Sequence, residues 1–167
     1  MSGSAHTGGA LIRGLTGLHH VRLTVVDIER SKAFYVRLLG MEPAIDFTDQ
    51  QHDPRARLDP DRFFGGCTFA FGGYLLGLRP VADPQDRFDS TRVGLDHLSL
   101  GVGDVADLHA AAGALSEARI THGGVRELPE LGIAILSFQD PDDINLELVC
   151  ALAASAPWRL ELHRPSA

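Results

Sequence analysis

Two histidines and one glutamate draw attention first, because imidazole and carboxylate side chains can hold a divalent metal or carry a proton. His20 lies in Gly17-Leu18-His19-His20-Val21-Arg22-Leu23-Thr24-Val25-Val26-Asp27-Ile28, and His97 in Gly94-Leu95-Asp96-His97-Leu98-Ser99-Leu100-Gly101-Val102-Gly103-Asp104-Val105. The two segments superpose as Gly-Leu-x-His, alternating aliphatics, and an Asp seven residues after the His. Such repetition is the mark of a duplicated supersecondary unit. Glu147 sits in a further alternating stretch, Ile144-Asn145-Leu146-Glu147-Leu148. Taken singly, a strand His is ordinarily a hydrogen-bonded structural residue and a Glu near a strand end is ordinarily solvated. The duplication relates His20 to His97 about a pseudo-twofold axis, so neighbouring first strands bring the two imidazoles together.

Alternation decides where these side chains point. Along a strand, His20, Arg22 and Thr24 share one face and Val21, Leu23 and Val25 the other; His97, Ser99 and Gly101 oppose Leu98, Leu100 and Val102 in the same way. Glu147 falls on the polar face with Asn145, against Leu146 and Leu148. The apolar faces require helices. Asp27 caps one that carries Ile28, Ala33, Phe34, Leu38 and Leu39 and stops at Gly40; Asp104 begins another with Val105, Leu108, Ala111, Ala112 and Leu115, ending near Ala118. Strand-like stretches follow each helix, at 43–48, 67–72 and 74–79, and at 119–122, 132–138 and 144–149. Two β-α-β-β-β modules are expected, over residues 17–80 and 93–150, joined by an Asp- and Pro-rich linker at 81–92. Residues 1–16 read as a flexible tail, and 151–167 as a second tail in which Trp158, Leu160 and Leu162 dock as a strand or helix. The long segment Asp49 to Arg62 reads as a mobile or functional loop.

A chain of 167 residues with 44% hydrophobic and 22% charged residues can bury a real core, and its net charge of −7 without a basic run argues against nucleic acid. No stretch has the length of a membrane span, and no leader is legible at the start. Cys67 and Cys150 lack metal or redox spacing, which suits a reducing cytoplasm. Arg22, on the polar face, and Arg79 are candidates to bind an anionic group of a small-molecule substrate; the alternative for each is an ion pair with a neighbouring carboxylate. Phe63, Phe64, Phe69 and Phe71 are expected in the core, with pocket lining as the alternative. Asp46, His52 and Glu127 are conceivable bases, and His122 is placed to approach the site. Open sheet edges predict a homodimer.

The stretch His20-Val21-Arg22-Leu23-Thr24-Val25-Val26-Asp27-Ile28-Glu29-Arg30-Ser31-Lys32-Ala33-Phe34-Tyr35, then Leu39-Gly40-Met41, and finally Asp140-Pro141-Asp142-Asp143-Ile144-Asn145-Leu146-Glu147-Leu148 resemble the vicinal oxygen chelate superfamily. That superfamily includes glyoxalase I, extradiol dioxygenases, methylmalonyl-CoA epimerase, fosfomycin-resistance proteins and bleomycin-binding proteins. The resemblance implies an α+β fold, two paired βαβββ modules forming a half-open, barrel-like curved sheet with helices outside. It also implies metal ligands on the first and last strand of each module. His20, His97 and Glu147 match three of the four positions, and Gly77 occupies the fourth. The remaining two-His, one-carboxylate set favours Fe(II), with Mn, Co, Ni or Zn as alternatives. It points to a dioxygenase-like enzyme that chelates vicinal oxygens of a small substrate, although Ser137 stands where extradiol dioxygenases carry a Tyr. The alternatives are a glyoxalase-like isomerase, epimerase or lyase, and a metal-free bleomycin-resistance-type binding protein.

Overall fold

The computed structural model describes residues 11–12 and 15–152. Most of both expected tails, with Trp158, Leu160 and Leu162, lies outside the described residues. Strand β1 (His20–Thr24) leads into helix α1 (Ile28–Leu39), whose N-terminus is closed by the Asp27 carboxylate accepting from the Arg30 N–H. Gly40, at φ 66°, ends the helix in the left-handed region, where a residue without Cβ is unstrained. Strands β2 (Ile45–Asp46), β3 (Cys67–Phe71) and β4 (Tyr74–Arg79) complete a four-stranded sheet in the order β1-β4-β3-β2. Only the β1–β4 pair is parallel.

The second unit repeats the plan. Strand β5 (Leu98–Gly101), strands β6 (His122–Leu128), β7 (Ile133–Gln139) and β8 (Asn145–Ala151) form a sheet in the order β5-β8-β7-β6, again parallel only at β5–β8. Their helix, Val105–Glu117, opens on a capping box in which Asp104 and Asp107 satisfy each other's backbone N–H groups. The fold is α+β, with two βαβββ modules whose apolar faces share one core of Leu23, Ile28, Tyr35, Phe69, Leu108, Leu136 and their neighbours. Both cysteines are free and buried in it, and burial pushes the Cys67 thiol up to about 12.

One turn joins the modules. Between β7 and β8, the Asp140 carboxylate accepts from the Asp142 and Ile144 N–H groups and from the hydroxyl of Tyr35. Asp142 accepts from the Val26 N–H and the Ser31 hydroxyl and pairs with Arg30. These buried carboxylates are fully partnered, as groups withdrawn from water must be. The first helix is thereby fixed to the second sheet.

Three expectations require correction. The strand expected at 119–122 is instead His122–Leu128, with a register shift between His122 and Val125. Gly123 and Gly124 form an irregularity inside the strand. The strand expected at 43–48 is only two residues long, because Asp46 accepts from the Thr48 N–H and hydroxyl and bends the chain. The expected loop at 49–62 is built of short helices: a 3₁₀ turn at Thr48–Gln50, α2 (Pro54–Leu58) and a 3₁₀ turn at Pro60–Arg62. Asp53 and Asp59 cap the two turns that follow them, each with a proline in the first turn. The helix at Val105–Glu117 is α3. Residues 80–97 hold no helix or strand, yet Phe88 packs against the core.

Asp46 also pairs with Lys32. Burial pushes its carboxyl up, but the Lys32 and Thr48 hydrogen bonds outweigh this and hold it below the usual carboxylate range. A depressed carboxyl contributes stability that is complete above about pH 4 and fades as pH falls through its folded value. The pair is part-exposed, so Asp46→Asn is expected to cost about 1 kcal/mol or less at pH 7. The variant should also lose less stability than the wild type between pH 7 and pH 3, measured by urea midpoints at both values.

Candidate metal centre

His97 immediately precedes β5, and Asn145 anchors that point by donating from Nδ2 to the Asp96 carbonyl at 3.2 Å. The Asp96 carboxylate is hydrogen-bonded to His97 Nδ1. A proton held on Nδ1 by a carboxylate leaves Nε2 with its lone pair, the arrangement that orients metal-binding imidazoles. Nε2 faces Glu147 Oε1 at 3.9 Å. Glu147 stands opposite Ser99 on β5 and opposite Ser137 on β7, and the Ser99 hydroxyl donates to Oε1 at 2.8 Å. With 43% of the His97 side chain and 18% of the Glu147 side chain exposed, the pair opens to solvent. One imidazole and one carboxylate, each oriented by a hydrogen bond, fit two donors to a divalent ion.

The equivalent row in the first module is Arg22, Gly77 and Thr68, because Gly77 stands opposite Arg22 on β1 and Thr68 on β3. Gly77 is therefore the register counterpart of Glu147. A Cβ added there would lie 3.3 Å from both Cγ and Nε of Arg22. The arginine thus lies over the place where the second module has its carboxylate. The Arg22 guanidinium stacks on Phe63 at 5.1 Å from the ring centroid, and that of Arg79 on Phe64 at 4.0 Å. Among the described residues neither arginine forms an ion pair.

Phe63 and Phe64 are consequently not core residues, unlike the buried Phe69 and the half-buried Phe71. They occupy consecutive left-handed positions, φ 53° and 58°, followed by Gly65 at 76°. Two non-glycine residues there cost about 1–3 kcal/mol each and persist only where the surroundings impose them. The bend is locked because Gly66 packs directly on the Leu78 carbonyl. The sequence reading preferred core for these two rings over pocket lining; the signal for the other outcome was the Gly65-Gly66 pair behind them.

His20 lies on the exposed face of β1, where its Nδ1 is 3.0 Å from Nδ1 of His19. Among the described residues no group of three or more His, Cys, Asp or Glu side chains is placed to hold one metal ion. The structure brings His97 and Glu147 together and leaves His20 apart from them. The conceivable bases stand elsewhere. Asp46 is engaged by Lys32 and Thr48, and His52 is exposed before α2. Glu127 shares a row with buried Ala134 and Cys150, on the face turned away from Glu147. His122 interacts with Ser116 of α3 and accepts from the Gly124 N–H, so it packs beside the helix and away from Glu147.

The sequence model of the Glyoxalase/Bleomycin resistance protein/Dioxygenase superfamily matches residues 17–148. The uncharacterized protein YwkD of Bacillus subtilis (strain 168) is 34% identical over 137 residues, 80% of this chain and 96% of that protein. A crystal structure of a glyoxylase/bleomycin resistance protein/dioxygenase domain from Frankia sp. EAN1pec shares 30% identity with a TM-score of 0.62, covering 83% of this chain and 99% of that one. FosX, a genomically encoded fosfomycin resistance protein from Listeria monocytogenes, shares only the fold, at 15% identity and a TM-score of 0.60, over 81% of this chain and 93% of that one. No described helix is long and apolar enough to cross a membrane. With paired βαβββ modules, the register that equates Gly77 with Glu147, and a family match across nearly all of the described chain, the protein belongs to the Glyoxalase/Bleomycin resistance protein/Dioxygenase superfamily, the vicinal oxygen chelate fold.

Proposed function

We propose that the protein is a metal-dependent, dioxygenase-like enzyme acting on a small substrate with vicinal oxygens. The observation that carries this reading is the His97–Glu147 pair, 3.9 Å apart and oriented by Asp96 and Ser99. His20 is the third ligand. A bound divalent ion, Fe(II) by preference for this donor set, supplies Lewis acidity toward the two substrate oxygens. Asp96 holds the imidazole tautomer, and Ser99 keeps the Glu147 carboxylate turned to the cleft. Gly77 adds no fourth ligand, which separates this donor set from that of a glyoxalase.

β1 and β5 are each the outer strand of their sheet, and each carries one histidine at or beside its start. The third ligand therefore comes from a second copy: His20 of one chain completes the His97–Glu147 pair of another in a homodimer. Mixing tests this directly. His20→Ala and His97→Ala proteins, each devoid of metal alone, should regain about a quarter of the wild-type metal content when unfolded, mixed equally and refolded, because half the dimers then hold one intact site. Oxygen consumption with a catechol panel, after anaerobic Fe(II) loading, reads the reaction class. No recovery of metal on mixing overturns the shared site, and wild-type protein that takes up no divalent ion overturns the enzyme reading.

A further inference from the structure

We propose that Arg22 and Arg79, held by Phe63 and Phe64, form an oxyanion receptor on the first module that takes an acidic group of the substrate, a carboxylate or a phosphoryl group. The inference rests on the metal-enzyme reading for the word substrate; the receptor itself rests on separate residues. Three observations carry it. Both guanidinium groups are stacked on phenyl rings, and among the described residues neither donates a side-chain hydrogen bond or meets a carboxylate. Arginine leaves five N–H donors to satisfy, and a fork held over a ring is prepared for two-oxygen ligands.

Polar atoms beside the arginines are also without partners. The Arg79 Nε and the Thr68 Oγ1 are both buried and unpaired, and Thr68 is only 4% exposed. Thr68 Oγ1 lies 3.5 Å from where a Gly77 Cβ would stand, and Arg22 Nε lies 3.3 Å from the same point. The hydroxyl and the guanidinium therefore converge on the space a side chain at 77 would occupy. Buried donors without acceptors are rare, and convergent ones mark a place for a ligand.

The two modules differ at this row in a directed way. Ser99, Glu147 and Ser137 in the second are replaced by Arg22, Gly77 and Thr68 in the first. A carboxylate is deleted and a cation added at equivalent positions, so a cation-holding row has become an anion-holding one. Among the described residues neither ring of the left-handed bend packs in the core: Phe63 lies against Arg22 and Phe47, and Phe64 against Arg79.

Calorimetric titration of the full chain with malonate, and separately with inorganic phosphate, in low-salt buffer with EDTA tests the receptor without any metal. One equivalent is expected per chain, the tighter of the two naming the acidic group. Arg22→Gln and Arg79→Gln should each weaken binding about tenfold or more, and Arg79→Lys should lose most of it despite keeping the charge. Gly77→Glu should abolish binding by setting a carboxylate against Arg22, whereas Glu147→Ala, which removes the metal pair, should leave it unchanged. Arg22 is solvent-exposed, so Arg22→Gln keeps the test valid if an Arg79 variant fails to fold. Equal binding by wild type and Arg22→Gln, loss of binding in Glu147→Ala, or no binding of either anion at about 10 mM overturns the receptor. Metal uptake, measured on the same variants, reports on the enzyme reading independently.

Discussion

His97→Ala and Glu147→Ala are each expected to reduce metal content from one equivalent per chain to background, a loss of affinity of about a hundredfold or more. Each substitution removes a donor from a pair whose partner is held in place by its own hydrogen bond, so no neighbouring side chain can move in to replace it. The fold should not change, because His97 is open to solvent and precedes its strand, and Glu147 is only half-buried on the polar face of β8. Asp96→Asn should retain metal but bind it about 10–100-fold more weakly, since it alters the hydrogen bond that sets the His97 tautomer. Elemental analysis of protein purified without chelators, with far-UV circular dichroism as the control, gives the result. Full metal content in both alanine variants would falsify the assignment.

Gly66→Ala is expected to cost about 3 kcal/mol or more, the largest loss expected for an alanine at any of the described glycines. Its Cβ would stand 2.0 Å from the Leu78 carbonyl oxygen and 2.8 Å from that of Phe63. Both obstacles are backbone, tied into β4 and into the turn where the Gly66 N–H donates to the Phe63 carbonyl. Relief requires β3 and β4 to separate or the 63–66 bend to open. The second route would withdraw Phe63 and Phe64 from the two arginines, so anion binding should fall with stability. Gly77→Ala gives the contrast: its Cβ meets mainly the flexible side chain of Arg22, and a cost of about 1 kcal/mol or less is expected. Urea midpoints of the two variants, compared with wild type, decide the matter; a Gly66→Ala protein as stable as Gly77→Ala contradicts the geometry.

The duplication, both long helices and the polar facing of His20 and Glu147 were legible in the sequence. Asp27 and Asp104 cap helices within four residues of themselves, and alternation along β1 and β8 puts His20 and Glu147 on polar faces. These are interactions between near neighbours, repeated twice in one chain, and local periodicity records them. The family resemblance put Gly77 at the position that corresponds to Glu147, and the strand registers agree with it.

Other features depend on contacts for which the chain carries no periodic sign. Asp142 reaches Arg30 across 112 positions, and Asp140 reaches Tyr35 across 105, so the lock between modules exists only once both sheets have formed. Phe63 and Phe64 looked like core because they are large and apolar; a left-handed bend fixed by Gly65 and Gly66 turns them onto Arg22 and Arg79. The segment 49–62 read as a loop, yet Asp53 and Asp59 cap short helical turns in it. The separation of His20 from His97 and Glu147 is likewise a matter of how the two sheets are set, since pseudo-symmetry relates equivalent strands but does not dictate whether they meet within one chain.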